Sequence, residues 1–381
     1  MKKIEISGVN TQNKGAELML CAIVQEIERK FGKAIVYLPF GIDLNKISYL
    51  HSTLSFRHKP YAAIKKKCYF ITRRLRRMGM HMDFLYDYYP IDGLDYFIDA
   101  SGFAFSDQWN PDKFEVGKWT KILDRYNKKG TKTIFLPQAF GPIEQPQTKI
   151  LVKKILAYAD AVVPRERISF NYLQKIGISK NNVRIYTDFT SLVEGTIPEK
   201  YEHLKNSVCI IPNMQMVNKG GLDFQNFIGF IKKIVKVIRE KGLNVYLLNH
   251  EGKNDEYFAL QCKDALCEDI EVVTGLNALE VKGLIGSSYM CITSRFHGLA
   301  SALNSCVPTL ATSWSHKYGE LYKDYGLEGM VLDPTNPRSY LDMVNSLLDL
   351  DTNNKIRQHL MKAHPLLVSK TEEMWNWIWK I

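Results

Sequence analysis

The sequence predicts an α/β protein built from two doubly wound domains in tandem. Short β-branched runs alternate with helical patterns along the first half of the chain, and the second half repeats this plan. Such alternation favours right-handed β–α–β crossovers and parallel sheets. A length of 381 residues is too great for one compact core and fits two domains of ordinary size.

The first half predicts a domain over residues 1–195. Apolar runs that end in turn residues indicate its strands, and apolar residues spaced three and four apart indicate its helices. The predicted strands lie near 2–7, 34–38, 96–100, 133–136, 161–163 and 183–186, and the helices near 15–31, 112–129, 147–158 and 166–176.

The second half predicts a domain over residues 206–350, after a charged linker that contains Pro198. A last helix, within 351–381, carries Trp375, Trp377 and Trp379 and is expected to pack back on the N-terminal domain. The predicted strands lie near 207–211, 244–249, 270–274, 289–293, 307–312 and 330–332, and the helices near 223–240, 255–266, 277–286, 296–304, 316–325, 336–350 and 353–379.

Positive charge is concentrated in one insertion of the first domain. The net charge is +11, and residues 59–77 hold eight basic residues and no acid, so the rest of the chain is close to neutral. Apolar residues at helical spacing place a stripe beside these charges. A basic amphipathic helix suits an anionic membrane surface, although a solvated helix that covers the domain has the same pattern. Nucleic acid is not expected as a partner, because no binding motif accompanies the patch.

The cysteines and the apolar runs indicate a cytoplasmic protein. The seven cysteines are scattered without metal-ligand spacing, which favours reduced thiols and no metal site. The first residues lack the apolar core of a signal peptide, and no run is long enough to span a membrane.

Candidate chemistry lies at the carboxyl ends of the predicted strands, where doubly wound sheets bind their ligands. The turn at 8–17 is rich in Gly and Asn and opens a helix whose backbone N–H groups could hold an anion. It matches neither nucleotide-binding glycine motif, so no cofactor is predicted. The strand-end segments are 8–17, 99–107, 137–141, 164–167 and 294–298.

The segment SRFHGLASAL, residues 294–303, carries the sharpest signal. Ser294 is the expected N-cap of a helix whose first turn holds Arg295, His297 and Gly298. The helix dipole favours an anion there, arginine grips phosphate or carboxylate with two donors, and histidine moves protons near neutral pH. We therefore expect Arg295 and His297 to bind a small anion, the alternative being a buried histidine and a surface ion pair.

Arg165, in VVPRERISF, is a second candidate for binding an anion. It follows a predicted strand, with Pro164 placed to start the next helix. The alternative is a simple ion pair with Glu166.

At these positions the chain resembles the polysaccharide pyruvyl transferase family. The resemblance rests on residues 13–17 (NKGAE), FLPQAFGPI at 135–143, VVPRERISF at 162–170, Asp188, and SRFHGLASAL, and it spans roughly residues 1–330. It implies two Rossmann-like domains facing each other across a cleft, in a GT-B-like arrangement. The first domain would bind the sugar acceptor and the second would bind phosphoenolpyruvate.

The resemblance also implies the reaction: pyruvate passes from phosphoenolpyruvate to two hydroxyls of a sugar, forming a ketal and releasing phosphate. No cofactor or metal is required, since phosphoenolpyruvate is a co-substrate. Arg165, Arg295 and His297 match the positions expected to hold and activate it, with Ser294 and Gly298 beside them. One departure is Ser101-Gly102, where many relatives have two glycines.

The residues of the acceptor side are assigned from their chemistry. Asp99 or Asp107 is expected to act as the base on the sugar hydroxyl, with Glu17 a weaker candidate, although all three suit turns and caps equally. The acceptor is expected to be a lipid-linked repeat unit, which would give the basic insertion a purpose, holding the enzyme peripherally at the inner face of the cell membrane. Amide and aromatic groups that could contact a sugar are Asn10, Asn13, Trp109 and Gln138.

Two other functions fit the same sequence. A glycosyltransferase of the same fold would bind a nucleotide sugar and release a nucleoside diphosphate. A non-catalytic protein would bind an anion or a glycan without releasing phosphate. Incubation with phosphoenolpyruvate and a galactose- or mannose-containing acceptor separates all three.

Overall fold

The structure is a computed structural model that describes residues 1–39, 41–50, 52–59, 91–177, 181–218, 221–312 and 317–381. The predicted basic helix at 59–77 lies, apart from its first residue, outside this range. Within it, no helix is both long and apolar enough to cross a membrane.

Each half of the chain forms a parallel sheet with six strands among the described residues. The orders are β3-β2-β1-β4-β5-β6 and β12-β11-β10-β7-β8-β9, both doubly wound, because each sheet runs outward in two directions from its first strand. The predicted α/β fold class is confirmed. The strands are β1 Lys2–Ser7, β2 Ala34–Leu38, β3 Ser55–His58, β4 Tyr96–Asp99, β5 Lys132–Gln138, β6 Ala161–Pro164, β7 Val208–Ile211, β8 Val245–Leu248, β9 Glu271–Val273, β10 Met290–Thr293, β11 Thr309–Thr312 and β12 Val331–Leu332.

The helices connect the strands, as a parallel sheet requires. Short 3-10 turns lie at Leu44–Leu50, Asp107–Trp109, Phe189–Leu192 and Glu199–Leu204. The α-helices are α1 Lys14–Phe31, α2 Lys113–Lys128, α3 Pro146–Tyr158, α4 Arg167–Ile176, α5 Gln215–Asn218, α6 Phe224–Glu240, α7 Gly252–Leu266, α8 Ala278–Gly286, α9 Phe296–Asn304, α10 Lys317–Asp324, α11 Pro337–Leu348 and α12 Leu350–Ile378.

The chain divides into two compact units. Unit 1 comprises Met1–Asn10, Ile23–Tyr186 and Trp375–Ile381, and unit 2 comprises Thr11–Ala22 and Thr187–Met374. Helix α1 therefore contributes its first half to unit 2 and its second half to unit 1.

The second sheet shows why its strands are apolar throughout. Val208 and Ile210 of β7 pack in one core with the apolar side of α6, whereas Cys209 and Ile211 pack in another with α8. Successive side chains of a strand point to opposite faces, so both faces of this sheet are buried under helices.

Two strand predictions differ from the structure. The segment 183–186 forms an isolated bridge, Val162 to Val183, rather than a strand. The N–H of Arg184 donates to the Val162 carbonyl at 3.3 Å and that of Tyr186 to the Pro164 carbonyl at 3.4 Å. The ladder does not continue because Pro164 has no N–H to donate in return. The short strand β3 was not predicted, because it alternates exposed and half-buried residues without a full apolar run.

The end of the chain packs as part of unit 1. Trp379 donates from Nε1 to Glu26 Oε1 at 2.7 Å. Its ring also meets the rings of Phe31 and Tyr96 edge-on, with centroids 5.2 and 5.5 Å apart. The indole is thus satisfied at its polar end and packed along its apolar body.

Candidate active site

The turn between β10 and α9 is built differently from the sequence prediction. Arg295, not Ser294, is the N-cap residue, and the helix begins at Phe296. Thr293 Oγ1 accepts the N–H of Arg295 at 3.0 Å, and the Ser294 hydroxyl lies 2.6 Å from that of Thr312 on β11. The predicted cap was wrong because the neighbouring strand offers Ser294 a buried partner.

The guanidinium of Arg295 lies between two carboxylates. One belongs to Asp255 on α7, and the other to Glu251, the residue just before α7. Its Nε donates to Asp255 Oδ2 at 2.9 Å, its Nη2 contacts the same oxygen, and its Nη1 pairs with Glu251. Asp255 is almost fully buried, whereas the Glu251 side chain is 36% exposed. Burial raises the pKa of Asp255, and the charge of Arg295 opposes that rise. Arg295 is therefore oriented by Asp255, and Glu251 is the more accessible of its two partners.

The start of α1 is tied to this corner by backbone and side-chain bonds. Asn13 bridges to Glu251 and donates from Nδ2 to Glu251 Oε1 at 3.1 Å. The N–H of Lys14 donates to the carbonyl of His250 at 3.1 Å. Asn13 also caps α1, since its Oδ1 accepts the N–H groups of Gly15 and Ala16.

His250 lies buried at the same corner. Burial lowers the pKa of His250 well below its usual range, and nearby Arg295 and His297 lower it further. It is therefore a neutral imidazole at neutral pH. Its Nδ1 has no hydrogen-bond partner in the part of the chain that the structure describes.

His297 lies in the first turn of α9, between an acid and a glycine. Its Nε2 is 3.5 Å from Asp188 Oδ2, with both side chains largely buried. On its other side the ring presses on Gly15 of α1, where a Cβ would overlap Nδ1. This glycine is required by the close approach of the imidazole.

Gly298 and Glu17 have packing and pairing partners of their own. A Cβ at Gly298 would overlap Thr293 Oγ1 and the side chain of Ile211, so the glycine lets α9 approach the sheet. Glu17 is buried and pairs with Lys14 at 2.6 Å.

In unit 1, Asp99 and Gln138 come together at the ends of β4 and β5. Asp99 is fully buried and accepts the hydroxyl of Ser101 at 3.0 Å, while Gln138 Nε2 lies 3.4 Å from its other oxygen. Burial raises the pKa of Asp99, and the Ser101 hydrogen bonds oppose that rise. Gly8 abuts Ser101 so closely that a Cβ there would overlap it.

The backbone of Arg165 is hydrogen-bonded to that of Gln138. Its N–H donates to the carbonyl of Gln138 at 3.0 Å, its side chain is buried, and its Nε is 4.0 Å from Glu166 Oε2. Pro164 is the last residue of β6 rather than the first of a helix, and α4 begins at Arg167. That prediction was wrong because β6 pairs with β5 as far as Pro164, opposite Gln138.

The remaining acceptor-side candidates lie in loops of unit 1. The Asp107 carboxylate accepts the backbone N–H groups of Glu144 and Gln145, at 2.6 and 3.2 Å, so it holds a turn. Trp109 is 55% exposed and meets the ring of Phe103 edge-on at 6.1 Å. Asn10 is exposed.

Sequence reasoning missed four residues around Arg295 and His297. His250, Glu251 and Asp255 follow β8, so the strand-end rule could have identified them, but the segment carries no arginine to indicate an anion site. Asp188 was noted without a role. In the described part of the chain no group of three His, Cys, Asp or Glu residues could hold a metal ion.

Comparisons with known proteins place this fold and these residues in context. HepE of Anabaena, in complex with UDP-glucose, superposes with a TM-score of 0.63 at 12% identity, covering 100% of both chains. MnaA of S. aureus, in complex with UDP, gives 0.59 at 13% identity, covering 98% of this chain and 95% of MnaA. At such identities the likeness shows the GT-B-like fold alone.

Sequence relatives are more specific. The amylovoran biosynthesis protein AmsJ of Erwinia amylovora is 20% identical over 292 residues, which is 71% of this chain and 68% of AmsJ. The family model for polysaccharide pyruvyl transferases matches residues 13–316, from the cap of α1 past the turn that carries Arg295 and His297. The chain therefore belongs to the polysaccharide pyruvyl transferase family, transferases of polysaccharide biosynthesis.

Proposed function

We propose that this protein transfers pyruvate from phosphoenolpyruvate to two hydroxyls of a sugar, forming a ketal and releasing phosphate. The observation that carries the proposal is the placement of Arg295 and His297 together at the N-terminus of α9, within the span of the family match. A bidentate cation and a proton-transfer group at a helix N-terminus suit a substrate with a phosphate and a carboxylate.

The donor would bind at Arg295 by exchange of ionic partners. Asp255 is buried and keeps the guanidinium in place, whereas the more exposed Glu251 can yield to an incoming anion. The neutral His250 adds no competing charge at this corner. Arg165 is the second cation assigned to phosphoenolpyruvate, with Ser294 and Gly298 shaping the turn.

His297 would transfer the proton that starts the reaction. Protonation of the methylene carbon makes the adjacent carbon cationic, and a sugar hydroxyl attacks it. A second hydroxyl then forms the other C–O bond as the C–O bond to phosphate breaks. The two hydroxyl protons leave with base and phosphate, so the reaction is balanced without an added oxidant or cofactor.

We assign the base on the sugar side to Asp99, acting through Ser101. Asp99 is too deeply buried to reach a sugar itself, but the half-buried Ser101 hydroxyl donates to it. That hydroxyl can take a proton from the sugar as it passes its own to the carboxylate. Asp107 is committed to the backbone of residues 144–145. Asn10, Asn13, Glu17, Trp109 and Gln138 stay as the proposed sugar contacts.

The acceptor is proposed to be lipid-linked, with the basic segment 59–77 held at an anionic membrane. The eight basic residues and the absence of acids in that segment support this. Sedimentation with anionic and with neutral vesicles tests it. Equal binding to both would contradict it.

Phosphate release and product mass test the reaction directly. With phosphoenolpyruvate and a galactose- or mannose-containing acceptor, we expect phosphate together with a product heavier by one ketal-linked pyruvate. Arg295→Ala and His297→Ala should abolish both, whereas the exposed Arg338→Ala and His203→Ala should not. Release of UDP from a UDP-sugar instead would favour a glycosyltransferase, and donor binding without phosphate release would favour a non-catalytic protein.

A further inference from the structure

The imidazole of His297 faces a carboxylate that is itself held rigidly. Its Nε2 is 3.5 Å from Asp188 Oδ2, which is ion-pair distance and slightly long for a hydrogen bond. Such contacts commonly shorten when substrate binds. The Asp188 side chain is only 6% exposed, so water screens this pair weakly.

The other oxygen of Asp188 is committed to the 3-10 turn that follows it. Asp188 is the N-cap of Phe189–Leu192, and its Oδ1 accepts both the backbone N–H of Thr190, at 2.9 Å, and the Thr190 hydroxyl. Because Oδ1 receives these two donors, Oδ2 is the oxygen directed at His297. The orientation of the carboxylate is therefore set by Thr190.

A buried lysine secures the same turn from α8. Lys282 Nζ donates to the Thr190 carbonyl at 2.9 Å, and Lys282 is 3% exposed. Burial lowers the pKa of Lys282 to about 8, and the charge of Asp188 opposes that lowering. Asn304, on the same helix as His297, approaches the Thr190 hydroxyl at 3.5 Å. The turn is thus held from two helices.

We propose that Asp188 is a positioning residue that fixes the tautomer and orientation of His297. The Nε2 proton is held toward Asp188 Oδ2, so in the neutral ring Nδ1 is the nitrogen without a proton. When His297 carries both protons, the carboxylate stabilises the imidazolium, as an aspartate does beside a catalytic histidine elsewhere. The catalytic part of this inference rests on the proposed function; the tautomer does not.

The substitution Asp188→Asn should change the tautomer of His297. An amide has one acceptor oxygen and one NH₂ group, and the Thr190 N–H requires the oxygen at the Oδ1 position. The NH₂ group must then face His297 Nε2, which can only accept from it. The proton of the neutral ring should therefore move to Nδ1, with the ring left in place.

Nitrogen NMR of histidine-labelled full-length protein, recorded over a pH series, reads the tautomer of the neutral ring. The His297 signal is identified by its loss in His297→Gln. We expect Nε2–H in the wild type and Nδ1–H in Asp188→Asn. Asp223→Asn, an exposed N-cap on α6, is the matched control and should leave the wild-type tautomer. Nδ1–H in the wild type would overturn the inference. This wild-type result does not depend on whether the Asp188→Asn variant folds.

Kinetics test the catalytic consequence. Asp188→Asn should lower kcat for phosphate release roughly tenfold or more, with the KM for phosphoenolpyruvate changed less than about threefold. In a His297→Gln background the same substitution should have no further effect, whereas a purely structural role would multiply the two losses. If the wild type releases no phosphate, the proposed function fails while the tautomer result still stands or falls by itself.

Discussion

The α-carbon of Gly15, in the first turn of α1, lies directly against the imidazole of His297 in the first turn of α9. The two residues are far apart in sequence, yet the absence of one methyl group permits their contact. With Asp188 at Nε2, this contact confines the ring on two sides.

Gly15→Ala should therefore damage activity more than folding. The added methyl group would overlap Nδ1, so the ring must turn away from Asp188. We expect phosphate release to fall by roughly tenfold or more, because a misplaced proton-transfer group loses much of its effect. Steady-state phosphate release, with circular dichroism to verify folding, measures this.

Gly229→Ala is the matched control. Gly229 lies within α6, and a Cβ there would meet no atom within 4 Å. Alanine is favoured over glycine in a helix by about 1 kcal/mol, so this variant should be active and slightly more stable. Equal activity of the two variants would contradict the role given to the Gly15 contact.

Glu251→Gln should strengthen binding of the donor. The carboxylate pairs with Arg295 Nη1 and would repel an incoming phosphate, whereas an amide removes that charge and leaves Asp255 to orient the arginine. We expect the KM for phosphoenolpyruvate to fall roughly threefold to tenfold, equivalent to about 1 kcal/mol. Glu240→Gln, an exposed residue on α6, should leave KM unchanged. A higher KM in Glu251→Gln would show that Glu251 assists donor binding.

Substitution by asparagine should affect activity at Asp99 and stability at Asp107. Asp99→Asn removes the acceptor of the Ser101 proton and should abolish acceptor-dependent phosphate release. Asp107→Asn weakens the bonds to the backbone of residues 144–145 and should lower the free energy of unfolding by about 1 kcal/mol. Denaturant unfolding and phosphate assays on both variants measure this. If instead Asp107→Asn abolished phosphate release and Asp99→Asn lowered only the stability, Asp107 would be the base.

Lys282→Met should alter the pH dependence of stability. Burial lowers the pKa of Lys282 to about 8, against 10.5 for a free lysine. Between these values the unfolded chain holds a proton that the folded chain has released, so the free energy of unfolding of the wild type rises with pH in that window. Relative to Lys282→Met, the wild type should gain about 3 kcal/mol from pH 8 to pH 10.5. Denaturant unfolding across this range checks it.

The exposed Lys236→Met is the control for this measurement. The difference in free energy of unfolding between this variant and the wild type should stay constant with pH, because Lys236 is exposed to water in the folded protein as in the unfolded chain. A constant difference for Lys282→Met as well would show that the buried amine is not perturbed.

The turn between β10 and α9 shows how far the sequence alone reaches. Apolar runs and small residues predicted the helix at 296–304, and the structure has it at Phe296–Asn304. The cap was mistaken, since Thr312 on β11 pairs with Ser294. Local patterns define an element well, but its terminal hydrogen bonds depend on neighbours that are distant in sequence.

The same division holds at β6. The apolar run and the proline predicted a strand and then a helix, which the structure contains, but pairing with β5 extends the strand through Pro164. The helix begins at Arg167, with Glu166 as its N-cap residue, and does not start at Pro164. Strand pairing outweighed the preference of proline for a first helical turn.

Periodic apolar patterns and short motifs are local properties of the chain, so they were enough to predict the α/β class, the two parallel sheets and the family. The same patterns made Arg295 and His297 candidates for the site, since both follow a strand directly. The partners of these two side chains could not be predicted in this way, because they depend on how distant segments fold together. Asp255 follows β8 and Arg295 follows β10, and the carboxyl ends of parallel strands lie at one edge of a sheet. Gly15, in the first turn of α1, and Asp188, at the start of the 3-10 turn Phe189–Leu192, reach His297 from segments that are distant in sequence.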